Sequence, residues 1–259
     1  MAVRDPLHSS VIDRLVVAGC VAADAEAAEF LAAAPDEATL DTWLRRREDG
    51  EPVAWITGTF RFCGRMLSVE PGVYVPRPQT EELARRAAAL LPDGGRALDL
   101  CAGSGAIGAH LMAQVPTARI IATDVDARAA GCARRNGVAT VVADLAEPIS
   151  GVGVFDVVTA VPPYVPTGEL RLLPADVQRH EPRRALDGGP DGLEVARRVI
   201  VAAARLLRRG GCLLIEIGAD QDRLLAPTLS AAGFGNAAPW WDDDGDLRGI
   251  VARATRRRP

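Results

Sequence analysis

The stretch Ala97-Leu-Asp-Leu-Cys-Ala-Gly-Ser-Gly105 places a short apolar run directly before a turn of small residues. A helical pattern follows, so the stretch predicts a strand, a tight turn and the start of a helix. Such turns let the backbone approach a ligand closely, and the helix start offers free N–H groups. Gly103, Gly105 and Gly108 match the spacing of dinucleotide-binding turns, although simple packing turns share that spacing. No Gly-Lys-Ser/Thr sequence follows, which excludes a nucleoside-triphosphate loop.

Around this stretch, strand-like runs alternate with helical patterns. The strand-like runs are 97–100, 119–123, 140–143, 155–159, 212–217 and 249–253, and helices are predicted near 81–91, up to 114, and at 126–137, 191–208 and 220–232. This alternation predicts an α/β fold with a doubly wound, mostly parallel sheet and helices on both faces. Ligands of such sheets bind at the carboxyl ends of the strands, where the strand order reverses.

The chain divides into three predicted segments. Residues 1–48 are helical in pattern, with Val11 and Leu15 at helical spacing, and predict a small N-terminal lobe. Residues 49–76 predict a connector, in which 51–64 has a β-type composition broken by glycine and suggests a hairpin. Residues 77–259 form the predicted sheet domain. A chain of 259 residues has room for one large domain and a small lobe.

The composition excludes several classes of protein. With 48% apolar and 25% charged residues, the chain is neither disordered nor fibrous. No run of about 18 apolar residues predicts a membrane span, and Arg4 and Asp5 interrupt any signal peptide, so we expect a cytoplasmic protein that binds no membrane. A net charge of −4 argues against direct nucleic-acid binding. Five cysteines without a C-x-x-C pair and three scattered histidines predict neither disulfides nor a metal site.

Acidic residues follow two further strands. Asp124 ends the second strand about 20 residues after the glycines, where a carboxylate accepts both hydroxyls of a ribose. Asp144 ends the third strand, where we expect it to take an adenine amino group. A single Asp at a strand end is usually a helix cap, but three successive strand ends of this kind predict an adenosine-containing cofactor. Asp99, just before the glycine turn, would repel a pyrophosphate and favours a cationic cofactor.

This arrangement resembles the S-adenosylmethionine-dependent methyltransferases, which implies a seven-stranded sheet whose final strand is antiparallel. The fourth strand leads into Val161-Pro-Pro-Tyr164, which resembles the Asn/Asp-Pro-Pro-aromatic motif of methyltransferases acting on planar nitrogens. Together with other motifs in order, the chain resembles the HemK/PrmC family, which methylates the glutamine of the Gly-Gly-Gln loop in class I peptide chain release factors. The other motifs are Gly50–Gly58, Tyr74–Glu81, His180–Leu193, Leu214–Gly218 and Gly245–Arg248.

The resemblance implies a site with two halves. The acceptor half, with the catalytic positions, is Val161, Pro162, Pro163 and Tyr164. The half that binds S-adenosyl-L-methionine, with S-adenosyl-L-homocysteine as product, is Arg77, Asp99, Cys101, Ala102, Gly103, Ser104, Gly105, Asp124, Val125, Asp144, Leu145 and Val161. The resemblance also implies a protein substrate, a class I release factor, engaged by the helical lobe, and we expect the protein to act as a monomer. Stiff flanking prolines place Arg77 near the site, with Glu81 as its alternative ion-pair partner.

The chain departs from the family pattern at its acceptor position. Val161 stands where the family has Asn, whose side-chain oxygen accepts an amide hydrogen of the substrate glutamine. Smaller departures are Cys101-Ala102 for Gly-Thr and Gln79 for Glu. Two alternatives therefore stay open: a methyltransferase of a different amine or small molecule, and a weakly active cofactor-binding homologue. Glu216, in the fifth predicted strand, is interpreted as structural.

Overall fold

The computed structural model describes residues 6–255; the first five residues of the predicted lobe and the arginines at 256–258, interpreted as a solvated tail, lie outside that range. The strands are β1 (Thr59–Phe62), β2 (Arg65–Ser68), β3 (Arg96–Leu100), β4 (Arg119–Asp124), β5 (Thr140–Val142), β6 (Phe155–Ala160), β7 (Leu207–Glu216), β8 (Phe234–Trp241) and β9 (Leu247–Ala254). The helices are α1 (Pro6–Val17), α2 (Ala23–Ala33), α3 (Glu37–Glu48), α4 (Val53–Thr57), α5 (Thr80–Leu90), α6 (Ala106–Gln114), α7 (Ala127–Arg135), α8 (Ala175–His180), α9 (Glu194–Leu206) and α10 (Gln221–Ala232).

A seven-stranded sheet, in the order β5-β4-β3-β6-β7-β9-β8, forms the body of the molecule. The first five strands of that order pair in parallel, and β9 pairs antiparallel with both β7 and β8. The predicted doubly wound fold with an antiparallel last strand is therefore confirmed. The strand order reverses between β3 and β6, so the glycine-rich turn after β3 and the Val-Pro-Pro-Tyr turn after β6 meet at one edge of the sheet.

Two apolar layers cover the two faces of the sheet. Neighbouring residues of a strand point to opposite faces, so Ala97 belongs to the layer under α5 and α6, and Leu98 to the layer under α9 and α10. Leu83 and Ile200 anchor these helices and are fully buried. Each such side chain contributes about 1.5–3 kcal/mol relative to leaving it exposed. The two layers hold the strand ends rigidly in place.

The N-terminal helices form a third apolar cluster around Leu15 and Phe30, and α4 joins it through Ile56. The expected strand at the start of the connector is wrong, because Val53–Thr57 is the short helix α4. Pro52 precedes that helix, where its missing N–H costs nothing, and Gly58 ends it in the left-handed conformation. The hairpin lies later, as β1 and β2. No helix among residues 6–255 is long and apolar enough to cross a bilayer.

Candidate active site

A cavity of about 570 Å³ opens at the carboxyl ends of β3, β4 and β6. Five chain segments line it: the glycine-rich turn, the end of β4, the end of β5, the turn after β6, and the stretch before α5. Residues 165–193, in the long connection between β6 and α9, cover the cavity, and this segment is called the roof. The volume lies in the range of small-molecule sites, and apolar groups predominate on the walls with a few polar groups between them.

Asp124 ties the glycine-rich turn to the end of β4. Its Oδ2 accepts from the amide of Gly103 and its Oδ1 accepts from the amide of Asp126, each at 2.8 Å. Burial raises the pKa of the Asp124 carboxyl, and the two amide hydrogen bonds oppose that shift. A carboxylate has about four acceptor positions, so capacity remains for hydroxyl groups in the cavity. A Cβ on Gly103 would meet no atom within 4 Å, so the turn leaves open space there.

Three residues of the turn, Cys101, Gly103 and Gly105, have left-handed backbones. Gly105 has φ +79°, and a Cβ on it would lie 2.8 Å from the Cβ of Ala133, so its lack of a side chain allows α6 and α7 to pack closely. Cys101 has φ +55° although it carries a side chain, and it stands where the family pattern has glycine. The turn therefore keeps the geometry of a glycine turn at the cost of local backbone strain.

Asp99 and Gly105 differ from the sequence prediction, because neither belongs to the cavity lining. Asp99 is 1% exposed and accepts a 2.8 Å hydrogen bond from the hydroxyl of Thr159, while its Oδ2 has no partner among the described residues. Burial raises the pKa of its carboxyl to about 7, and the Thr159 hydrogen bond opposes that shift. Asp99 is a residue of β3, so its side chain lies within the sheet, behind the glycine-rich turn. Asp99 thus supports the cavity wall from behind.

The predicted adenine side of the cavity has Asp144, Leu145 and Val125 among its lining residues. Asp144 forms a 2.7 Å ion pair with Arg198 of α9. Leu145 is nearly buried with φ +47°, and Val125 is 58% exposed. The structure therefore brings these three residues to the cavity together with Asp124. The remaining predicted lining residues of the turn are Cys101, Ala102, Gly103 and Ser104.

The turn after β6 forms the opposite wall. Val161, Pro162, Pro163 and Tyr164 all line the cavity. The carbonyl of Tyr164 accepts a 2.9 Å hydrogen bond from Nε2 of Gln221. Gly218 lies beside the Tyr164 ring, because a Cβ added to it would be 3.6 Å from that ring. The prolines restrict the backbone further. This wall is rigid, and at Val161 it is apolar.

Arg77 lies on the cavity wall, but its partner differs from the one predicted. Its Nη2 donates to Oε1 of Glu181, and its guanidinium stacks 4.8 Å from the centre of the Tyr74 ring. Glu81, the predicted alternative, instead accepts from the amide of Cys63 at 2.9 Å and also pairs with Arg85. Glu181 belongs to the roof and is 6% exposed. The Arg77–Glu181 pair therefore attaches the roof to the wall before α5.

The roof also contacts the connector directly after α3 of the N-terminal lobe. Nη1 of Arg179 donates to the carbonyl of Asp49 at 3.1 Å, and Nε2 of His180 lies 3.3 Å from the same oxygen. The His180 ring meets the Trp55 ring edge to face. These contacts anchor the segment around His180, and they connect the start of the connector to the segment that covers the cavity.

Sequence reasoning missed much of the cavity lining. Thr80 and Tyr74 lie in quoted motifs but carried no role, and the roof residues have no periodicity that marks them. The missed lining residues include Leu173, Pro174, Val177, Pro182, Arg184 and Arg198. Pro182 and Arg184 lie in the quoted motif His180–Leu193, and prolines are concentrated around Leu173, Pro174 and Val177. Residues 6–255 contain no group of three or more His, Cys, Asp or Glu side chains placed to hold a metal ion.

Known proteins resemble the chain in sequence and in fold. The methyltransferase small domain family matches residues 80–172. The release factor glutamine methyltransferase of Geobacter sulfurreducens is 36% identical over 216 residues, covering 81% of this chain and 76% of that protein. The 4-amino-L-phenylalanine/4-methylamino-L-phenylalanine methyltransferase of Streptomyces pristinaespiralis is 39% identical over 200 residues, covering 73% and 69%. A crystal structure of a methyltransferase from Pyrococcus furiosus shares the fold, with a TM-score of 0.53, 19% identity and coverage of 73% and 89%.

Proposed function

The chain belongs to the family of release factor glutamine methyltransferases, and we propose that it methylates the side-chain amide of a glutamine in a class I peptide chain release factor. The methyl donor is S-adenosylmethionine. The observation that carries the proposal is the cavity itself, in which the glycine-rich turn with Asp124 faces the Val161–Tyr164 turn. A donor and an acceptor bound to these two walls share one enclosed space.

The donor half fits an adenosine group by its own chemistry. Asp124 is held by two backbone amides and keeps acceptor capacity for the ribose hydroxyls. Gly103 leaves the space beside the turn open, and Asp144 and Leu145 stand at the adjoining strand end for the adenine. S-adenosylmethionine supplies a methyl group made electrophilic by a positively charged sulfur. Asp99 adds negative potential behind the turn when its carboxyl is ionised.

The acceptor half orients a weak nucleophile. An amide nitrogen has a delocalised lone pair, so it reacts only when it is held in line with the methyl group and its developing positive charge is stabilised. Pro162 and Pro163 fix the turn, and the ring of Tyr164 packs against the planar amide. Val161 has no acceptor atom where the family has Asn. The missing hydrogen bond costs about 1–3 kcal/mol, so we expect glutamine methylation that is slower by roughly ten- to a hundredfold.

The N-terminal lobe at 1–48, with the connector at 49–76, is proposed to engage the protein substrate beside the cavity. The support is the direct contact of the connector, at Asp49 immediately after the lobe, with residues 179–180 of the roof. A release factor bound to the lobe would therefore lie next to the roof, the segment that covers the acceptor. We propose that one copy of the chain acts on one release factor without direct nucleic-acid contact.

A second candidate function has its own observation. Val161 makes the acceptor wall apolar, and Leu173 and Val177 add apolar groups to the same cavity. An aromatic amine packs against such a wall, and its nitrogen needs less activation than an amide. The Streptomyces relative is named as a methyltransferase of 4-amino-L-phenylalanine, which has such a nitrogen. The alternative acceptor is therefore a free arylamine.

Incubation with labelled S-adenosylmethionine separates the candidates. The protein is mixed with a cell lysate, and the label is located by gel and by chromatography of the small-molecule fraction. A labelled release-factor band supports glutamine methylation, and a labelled soluble product supports the arylamine. No label in either fraction, despite cofactor binding by calorimetry, would refute both and leave a cofactor-binding homologue. The Asp124→Ala variant controls for label transferred by lysate enzymes.

A further inference from the structure

Glu216 is a buried carboxyl group beside the acceptor wall that the proposed function does not use. It ends β7 one residue after Ile215, which pairs with Ala160, so it lies next in register to Val161. Glu216 is only 2% exposed. A carboxyl group in such a place costs stability unless it has partners, so its presence at this strand end calls for a reason.

One hydroxyl connects Glu216 to the cavity. Oγ1 of Thr80, the first residue of α5, donates a 2.7 Å hydrogen bond to Oε2 of Glu216. Thr80 belongs to the cavity lining and Glu216 does not. Oε1 of Glu216 accepts no hydrogen bond from the described residues. The carboxyl therefore has spare acceptor capacity and reaches the cavity through the Thr80 hydroxyl.

The surroundings of Glu216 hold the pKa of its carboxyl group near neutral pH. Burial raises the pKa of its carboxyl to about 7, and the Thr80 hydrogen bond, the charges of Arg248 and Arg77 and the Tyr164 hydroxyl act in the opposite direction. Burial and then the charge of Glu216 raise the pKa of Tyr164 to about 12, so that phenol stays neutral. The titratable and charged groups that face Glu216 are Tyr74, Arg77, Tyr164 and Arg248.

We propose that Glu216 is a positioning residue that takes up, through the Thr80 hydroxyl, the proton released by the acceptor nitrogen. This inference rests on the proposed function. The nitrogen lone pair forms the new N–CH₃ bond while the C–S bond breaks and its electron pair stays on sulfur. The nitrogen then carries one proton too many. That proton passes to Oγ1 of Thr80 as the Thr80 proton passes to Oε2 of Glu216, so the threonine is unchanged and the carboxyl ends protonated.

The proposal predicts a specific pH dependence. A protonated Glu216 cannot take the proton, so kcat should rise about tenfold per pH unit below neutrality and level off above it. Asp99 is a second buried carboxyl whose pKa is raised to about 7, and it lies behind the donor side, hydrogen bonded to Thr159. The Asp99→Asn variant is therefore the matched control for the origin of the pH dependence.

The test compares kcat at saturating S-adenosylmethionine from pH 5.5 to 9 for four variants and the unchanged protein. Glu216→Gln keeps the size and an acceptor for Thr80, and should lower kcat by about a hundredfold or more and abolish the rise below neutrality. Asp99→Asn should keep that rise. Thr80→Val should behave as Glu216→Gln, and Thr80→Ser should restore the rise. A rise that survives in Glu216→Gln would overturn the proposal.

A second measurement separates this inference from the proposed function. The rates are recorded first on purified release factor and, if that is not methylated, on 4-amino-L-phenylalanine. A protein that methylates neither refutes the proposed function, and carbon-13 NMR of labelled glutamate then decides the inference. A carboxyl resonance that titrates near neutrality and is lost in Glu216→Gln supports Glu216 as a proton acceptor at neutral pH. If no such resonance exists, Glu216 is structural.

Discussion

The backbone amide of Gly103 donates a 2.8 Å hydrogen bond to Oδ2 of Asp124. The carboxylate proposed to bind the ribose thus also sets the path of the glycine-rich turn, although β4 and the turn after β3 are separate in sequence. Binding and loop geometry are coupled in one side chain. A change at Asp124 should therefore affect the cofactor more than the loss of a surface acid does.

Asp124→Ala should weaken S-adenosylmethionine binding by at least about tenfold for each hydrogen bond that is lost, because a bond to a charged group contributes about 1.5–3 kcal/mol. Isothermal titration calorimetry measures the change. Asp36→Ala is the matched control, since Asp36 also accepts a backbone amide, from Thr39 at 2.7 Å, but lies in the N-terminal lobe. Equal affinity in Asp124→Ala and the unchanged protein would remove Asp124 from the site.

The left-handed backbone at Cys101 predicts an unusual stability order. Cys101→Gly should be more stable than Cys101→Ala by about 1 kcal/mol, because both lack the thiol and only alanine keeps a Cβ in that conformation. Urea unfolding of both variants measures the difference. The opposite order, with alanine more stable, would show that the turn is unstrained at this position.

The raised pKa of Asp99 predicts that the free energy of unfolding falls as the pH rises. Its pKa is raised by burial to about 7, so the folded state binds a proton that the unfolded state releases above its ordinary pKa near 4. The free energy of unfolding should thus fall by about 4 kcal/mol between pH 4 and 7 through this group, and stay level above. Asp99→Asn, neutral at every pH, should lose that part of the fall and keep the part due to Glu216.

Urea unfolding without cofactor at several pH values between 4 and 8 checks this prediction. Asp36→Asn is the control, because a hydrogen bond from the Thr39 amide lowers the pKa of that exposed carboxyl, which is the opposite direction. Asp36→Asn should leave the fall in the free energy of unfolding between pH 4 and 7 unchanged. If Asp99→Asn shows the full fall of the unchanged protein, Asp99 is ionised in the folded state.

Local sequence signals predicted the parts of the fold that depend on neighbouring residues. Apolar runs, glycines and strand termini determine the strand-turn-helix at 97–114 and the acid at the end of β4. Both features lie where the sequence predicts them. The helix α4 was missed because Ala54, Trp55 and Ile56 have strand-like composition, yet they are buried between the lobe and the hairpin. Tertiary contacts therefore determine the helical conformation of this segment.

Long-range contacts account for the rest of the site. Arg77 was expected near the cavity, but its partner Glu181 lies far along the chain, and the competing Glu81 is occupied by the hairpin amide of Cys63. Asp99 was expected to face the ligand, and the register of β3 beside β6 turns it toward Thr159 instead. No spacing rule in one sequence reports such pairings.

Val161 offers the sharpest test of the acceptor wall. Val161→Asn restores the missing acceptor with little change in volume, so methylation of a release-factor peptide should rise by about ten- to a hundredfold, while cofactor affinity stays the same. If the acceptor is an arylamine packed on Val161, the same change should slow its methylation, because it buries an unpaired amide. A variant with neither effect would mean that the turn after β6 does not hold the acceptor.

Mass spectrometry of a purified class I release factor, after incubation with this protein and S-adenosylmethionine, tests the proposed methylation itself. We predict one added methyl group on the glutamine of the Gly-Gly-Gln loop, formed slowly, and absent when that glutamine is replaced by alanine. At a subsaturating concentration of S-adenosylmethionine, the Asp124→Ala protein should methylate the release factor more slowly than the unchanged protein. A release factor that stays unmethylated under conditions in which the protein binds S-adenosylmethionine would refute the proposed function.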